Sequence, residues 1–181
     1  DRIQLNDSEL WLRDFLAAEG IIRATGVAWE AGSGAVLSIS RESSPGLRKI
    51  LLSHEAAHGL YFINAIYRQK ISELWNRIGE QARTAWRVYL AALAYDVTSD
   101  QLTMNEFQAY LAQQQESALR YYFGVLVPNK IRRISPIELA AASWFEEGIR
   151  EIRSQHQAIE HALQFVTGSH AGSLTTVFLT R

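Results

Sequence analysis

Arg48-Lys49-Ile50-Leu51-Leu52-Ser53-His54-Glu55-Ala56-Ala57-His58-Gly59-Leu60-Tyr61-Phe62 reads as an apolar helix interrupted by two histidines and a glutamate in the order H-E-x-x-H. Residues four apart on a helix lie one turn above each other on one face, so the imidazoles of His54 and His58 can reach the same ion. Glu55 follows the first histidine by one residue and points about 100° further round the helix. From there it can accept a proton from a water at the ion without ligating the ion itself. Between Ile50 and Phe62 every residue other than these three is uncharged. Unpartnered polar groups in so apolar a stretch would cost several kcal/mol, a cost that a bound metal removes.

Working outward, Ser44-Pro45 supplies a cap and a first helical residue, and the spacing predicts that the motif helix runs from there to about Tyr67. Upstream, Asn6 or Asp7 can cap an amphipathic helix carrying Leu10, Trp11, Phe15 and Leu16, stopped by Gly20. Over 21–41 the texture changes to β-branched and small residues around Gly32-Ser33-Gly34. This predicts a hairpin whose second strand has Leu37 and Ile39 on one face and Ser38 and Ser40 on the other. Downstream, 71–95 predicts a second long helix, with Leu74, Trp75, Ile78, Ala82, Ala85, Trp86, Tyr89 and Leu90 on an apolar stripe. Asp96-Val97-Thr98-Ser99-Asp100 breaks it, and another helix follows through Gln115. A loop or short strand is predicted over 120–134, closed by Pro128-Asn129; Ser135-Pro136 then starts a final helix to about Gly168, and 174–179 can add a strand. The class is mainly α (α+β), a helical domain with a small N-terminal β-hairpin next to the H-E-x-x-H helix.

With 181 residues, 48% of them hydrophobic and 20% charged, the chain can fill one core, so a single domain over 1–181 is expected. A formal net charge of -1 offers no basic field for nucleic acid, and the cluster Lys130, Arg132 and Arg133 reads as a solvated loop. Without cysteine there is neither a disulfide framework nor a thiolate metal site, so histidine and carboxylate must do any metal binding. His156, His161 and His170 are not four apart from one another, so no second metal site is expected. No apolar run reaches the roughly 18 residues of a membrane span, and no signal segment is seen at Asp1. The chain reads as soluble, with a cytoplasmic and a secreted or periplasmic home both open. Starting without Met, it fits either a processed form or a piece of a longer precursor.

Leu51-Leu52-Ser53-His54-Glu55-Ala56-Ala57-His58-Gly59-Leu60 resembles the extended signature of the zincin metallopeptidases, and Thr103-Met104-Asn105-Glu106-Phe107-Gln108-Ala109-Tyr110-Leu111 resembles the glutamate-bearing helix of the gluzincins. The resemblance implies a zincin-like domain with one zinc ion per chain, held by His54, His58 and Glu106. It also implies that the strand ahead of the metal helix, Val36 to Ser40, pairs with an extended substrate; a hairpin that merely covers the core is the other reading. Trp144-Phe145-Glu146-Glu147-Gly148 is similar to a second glutamate motif of zincins and makes Glu147 the rival ligand. Thr103-x-x-Glu106 fits a capping box as well, in which Glu106 would fold back and bind nothing. The setting favours Glu106, among Met104, Phe107, Ala109 and Leu111, over Glu147, which is flanked by Glu146, Glu151 and arginines that want solvent.

The expected activity is hydrolysis of peptide bonds in a peptide or protein substrate, with Glu55 as general base. A histidine downstream, or a tyrosine such as Tyr110 or Tyr122, would hydrogen-bond the developing oxyanion. The other class of reading is a non-catalytic helical binding or scaffold module with a structural or degenerate zinc site. A fourth protein ligand in the water's place would favour it.

Overall fold

A computed structural model describes residues 4–174, so the strand envisaged over 174–179 lies, beyond Leu174, outside the described residues. Two compact units divide between Leu37 and Ser38.

In the first unit, α1 (Asp7–Ala18) starts as read, at Asn6. The Asn6 side chain accepts from the Glu9 N–H at 3.0 Å, and the Glu9 carboxylate accepts from the Asn6 N–H at 2.8 Å, a reciprocal capping box. A two-stranded antiparallel hairpin follows, β1 (Ile22–Thr25) and β2 (Ala28–Ala31), with Ile22 opposite Ala31 and Thr25 opposite Ala28. Its reversal is at Gly26-Val27, where Gly26 takes φ +62°, and not at Gly32-Ser33-Gly34. Gly32 is instead needed for close backbone approach. Its N–H donates to Ile21 O at 2.8 Å, and a Cβ there would stand 2.1 Å from Gly20 O. Beyond β2 no strand forms over 34–40, so the edge strand expected over Val36 to Ser40, and substrate pairing with it, have no counterpart.

The second unit is helical. Ser44 caps α2 (Pro45–Ile63), its hydroxyl accepting from the Leu47 N–H at 3.4 Å. The helix ends short of Tyr67 because Asn64 turns extended and its side chain accepts from the Tyr67 N–H at 2.9 Å, capping α3 (Ala65–Arg77). The long helix expected over 71–95 is likewise two. Ile78 is extended, Gly79 caps α4 (Glu80–Ala91), and the Arg83 guanidinium donates to the Ile78 carbonyl at the break. Ser99 caps α5 (Asp100–Ala112), accepting from the Leu102 N–H at 3.3 Å, while Thr103 Oγ1 donates back to Ser99 O at 2.9 Å. The cap therefore sits a turn earlier than a Thr103–Glu106 box would need.

The expected loop or strand over 120–134 is helical throughout: α6 (Leu119–Tyr121), a π-helical turn (Tyr122–Leu126) and α7 (Val127–Ile134). Leu119, Phe123, Val127 and Ile131 recur every fourth residue and are all buried, which is the apolar face of a helix. The single helix expected from Ser135-Pro136 is a turn followed by α8 (Leu139–Glu147) and α9 (Ile149–Thr167). Gly148 parts them, where a Cβ would come within 2.5 Å of Trp144 O.

Fully buried Trp86 of α4 is the hub of this unit. It meets Phe107 of α5 at 5.0 Å, Phe123 of the π turn at 5.3 Å and Phe145 of α8 at 5.3 Å, edge to face in each case. Its indole N–H donates to Gln155 Oε1 of α9 at 3.1 Å. Phe107 is thus locked inward, and neighbouring Glu106 is presented to α2. No helix among the described residues is long and apolar enough to cross a membrane.

Candidate metal centre

α2 brings His54 and His58 to one face, with their Nε2 atoms 3.0 Å apart and their rings edge to face at 4.6 Å. From α5, Glu106 reaches between them, Oε2 at 3.4 Å from His54 Nε2 and Oε1 at 3.4 Å from His58 Nε2. Ligand atoms about 2.0–2.1 Å from a tetrahedral zinc lie roughly 3.3 Å from one another, so these spacings suit the ion. Two further observations fit a cation. Glu106 Oε2, which faces His54 Nε2, is buried without a hydrogen-bond partner among the described residues. Burial alone would raise the Glu106 carboxyl, yet the two imidazoles against it hold it down to about 2, so an anion stands in a nearly closed site. Burial also works against charge on His58, but Glu106 and Asn105 outweigh it and shift that imidazole upward.

His58 is oriented from behind. Its Nδ1 lies 3.0 Å from Asn105 Oδ1, which also accepts from Gln108 Nε2 at 3.1 Å, so Nδ1 carries the proton and Nε2 keeps its lone pair for an ion. Gln108 Nε2 donates to the Asn105 carbonyl at 3.0 Å too, and Gln108 Oε1 accepts from the Tyr67 hydroxyl of α3 at 2.8 Å. Tyr67 is fully buried, and burial pushes its hydroxyl far above the ordinary tyrosine range, leaving it a permanent donor. Sequence reading assigned no role to Asn105, Gln108 or Tyr67. Asn105 was the one hint, as neighbour of Glu106.

Glu55 is half-buried on α2, near enough for its charge to act on both His58 and Tyr95. Tyr95 leaves α4 through a left-handed Ala94 (φ 67°), with its N–H on Leu90 O at 3.1 Å. Its hydroxyl lies 3.5 Å from that of Tyr110, whose ring meets His54 at 4.8 Å. Burial first, and the Glu106 and Glu55 charges after it, keep the Tyr95 hydroxyl protonated.

Glu147 is exposed and stands apart from this group. His156 is buried with its ring nitrogen 2.9 Å from Gln114 O, and His170 faces Glu160 across the end of α9; neither joins the group, nor does His161. Among the described residues, His54, His58 and Glu106 form the one set of three or more such side chains able to hold a metal. No protein-family model matches the chain, and neither a curated protein nor a solved structure matches it.

Proposed function

We propose that this chain is a zinc-dependent metallopeptidase of the gluzincin type, with His54, His58 and Glu106 as the metal-holding residues and Glu55 as the general base. The observation that carries the reading is the convergence of two imidazole Nε2 atoms and one ionised carboxylate at mutual spacings of 3.0 and 3.4 Å, beside a half-buried Glu55. No fourth His, Asp or Glu completes the set among the described residues, which favours an open coordination position over a closed structural site.

When bound, zinc brings the pKa of a water in the site to about 7 and polarises a substrate carbonyl. The protein's own contributions are separable. His58 is held in one tautomer by Asn105, so in the neutral ring the lone pair stands on Nε2, facing Glu106. Glu55 takes the proton of the attacking water on its carboxylate and returns it to the leaving amine. Tyr95 and Tyr110, protonated beside the site, are positioned to donate to the oxygen on which negative charge develops.

The test is Glu55→Gln, which keeps volume and hydrogen bonding but cannot accept a proton. It should retain zinc at wild-type stoichiometry and lose about 10²–10⁴-fold in turnover of a fluorogenic peptide pool. Wild-type turnover in this variant would remove Glu55 from the mechanism.

A further inference from the structure

His54 lies beside Tyr110 and His58 beside Asn105, so α2 and α5 run antiparallel and the start of the one meets the end of the other. Where they meet, a cavity of about 310 Å³ is lined by Gly46, Lys49 and Ile50 of α2 and by Gln113, Gln114 and Ala118 at and beyond the end of α5. It is separate from the metal group: Ile50 is a full turn ahead of His54, and neither the histidines nor Glu106 line it.

The α2 side is an unmatched helix start. Ser44 satisfies two of the first N–H groups, its hydroxyl accepting from Leu47 and its carbonyl from Arg48, and Pro45 has none to satisfy. The Gly46 N–H is left without a partner among the described residues, and a Cβ on Gly46 would meet nothing within 4 Å, so open space stands beside it. Lys49 has no carboxylate within 4.0 Å among the described residues. A free N–H and a lysine at a helix start attract an anion.

At the α5 end, Gln114 is only 7% exposed, yet its side-chain amide lines the cavity and makes no hydrogen bond among the described residues. An amide so far withdrawn from solvent calls for a bonding partner. The backbone carbonyls around it already have theirs: Ala112 O accepts from the Gly172 N–H at 2.7 Å, Gln114 O from His156 Nε2 at 2.9 Å and Gln115 O from the Ala118 N–H at 2.9 Å. This leaves the Gln114 amide N–H₂ as the unused donor here, and no Asp or Glu is among the lining residues. Half-exposed Ile50 and Ala118 form an apolar side. The volume is that of about ten waters, which admits an organic anion of similar size.

We propose that this cavity binds a small organic anion, with its phosphate or carboxylate held by the Gly46 N–H, Lys49 and the Gln114 amide, and its apolar part against Ile50 and Ala118. The proposal does not rest on the metallopeptidase reading.

The experiment titrates phenyl phosphate and benzoate separately into the full chain after dialysis against a chelator, so that no metal can hold either probe. Heteronuclear NMR follows the amide groups. The Gly46 N–H and Gln114 side-chain signals should move together and saturate with a Kd on the order of 1 mM. The probe that binds more tightly identifies the head group. Lys49→Gln, a surface change, should weaken binding about fivefold. Gln114→Glu, nearly the same in shape, should abolish it by setting a negative charge against the anion. Far-UV circular dichroism checks that helix content is kept, and if Gln114→Glu fails to fold, Lys49→Gln decides alone. Signals at Gly46 and Gln114 that stay fixed with both probes would overturn the site. Binding left unchanged in the folded variants would overturn it too, as an adventitious ion only.

Discussion

At the scale of single residues, His54 Nδ1 and Glu106 Oε2 are two of the four buried side-chain atoms without a hydrogen-bond partner among the described residues, and each bears a local cost. Glu106 is the sharper case, because an ionised carboxylate held down to about 2 at a nearly closed site needs a cation or protonated neighbours. Glu106→Ala should therefore lower zinc affinity and peptide turnover together, whereas Glu147→Ala, altering an exposed side chain, should leave zinc bound. Metal content after dialysis, measured by atomic absorption, checks both, and the reverse pattern would move the ligand to Glu147. How legible this was depended on sequence distance. His54, Glu55 and His58 could be read because helix geometry alone brings residues four apart together. Glu106 came forward through the resemblance of its helix to that of the gluzincins, and its apolar surroundings favoured it over Glu147. The bond from His58 to Asn105 could not, since it joins residues 47 apart whose meeting depends on how α2 and α5 pack.

At the scale of elements, α5 carries both the carboxylate and the brace behind His58. The relay Tyr67–Gln108–Asn105 links α3 to α5 and ends on His58, so on the proposed reading its loss should be felt in metal affinity before it is felt in the fold. Gln108→Leu and Tyr67→Phe are each expected to weaken zinc binding by about 10–100-fold. Chelator competition reads the affinity, and far-UV circular dichroism checks that helix content is kept. Unchanged affinity in both would make the relay mere core packing. The elements themselves were legible where the signal is local: the Asn6–Glu9 box and Ser44-Pro45 mark helix starts by chemistry within one turn. The breaks at Asn64, Gly79 and Gly148 were not, because apolar periodicity continues across them and only packing decides that the chain bends there. Over 120–134 the β-branched residues and Pro128 argued against a helix, but burial of Leu119, Phe123, Val127 and Ile131 on one face overrode local preference. The hairpin was right in kind and wrong in place. Two glycine-rich turns lay within a few residues, and the one at Gly32 serves a close contact with Gly20.

At the scale of the whole molecule, the aromatic hub around Trp86 and the candidate metal centre share α5, so packing at the one should support binding at the other. Trp86→Ala removes the hub and should cost about 3–5 kcal/mol of unfolding free energy. Trp86→Phe, which mainly strands Gln155 Oε1, should cost about 1–3 kcal/mol. Urea denaturation distinguishes them. On the proposed reading zinc would join α2 to α5 only in the folded chain, so at a thousandfold excess over its Kd it should add about 4 kcal/mol. For a chain of this size that corresponds to roughly 8–16 °C in Tm, and the shift should vanish in His54→Ala. The most direct measurement is anomalous scattering at the zinc absorption edge from crystals grown with zinc. A single strong peak within about 2.0–2.2 Å of His54 Nε2, His58 Nε2 and a Glu106 oxygen is the predicted result. Crystals with no peak there, or with the peak beside Glu147, would contradict it.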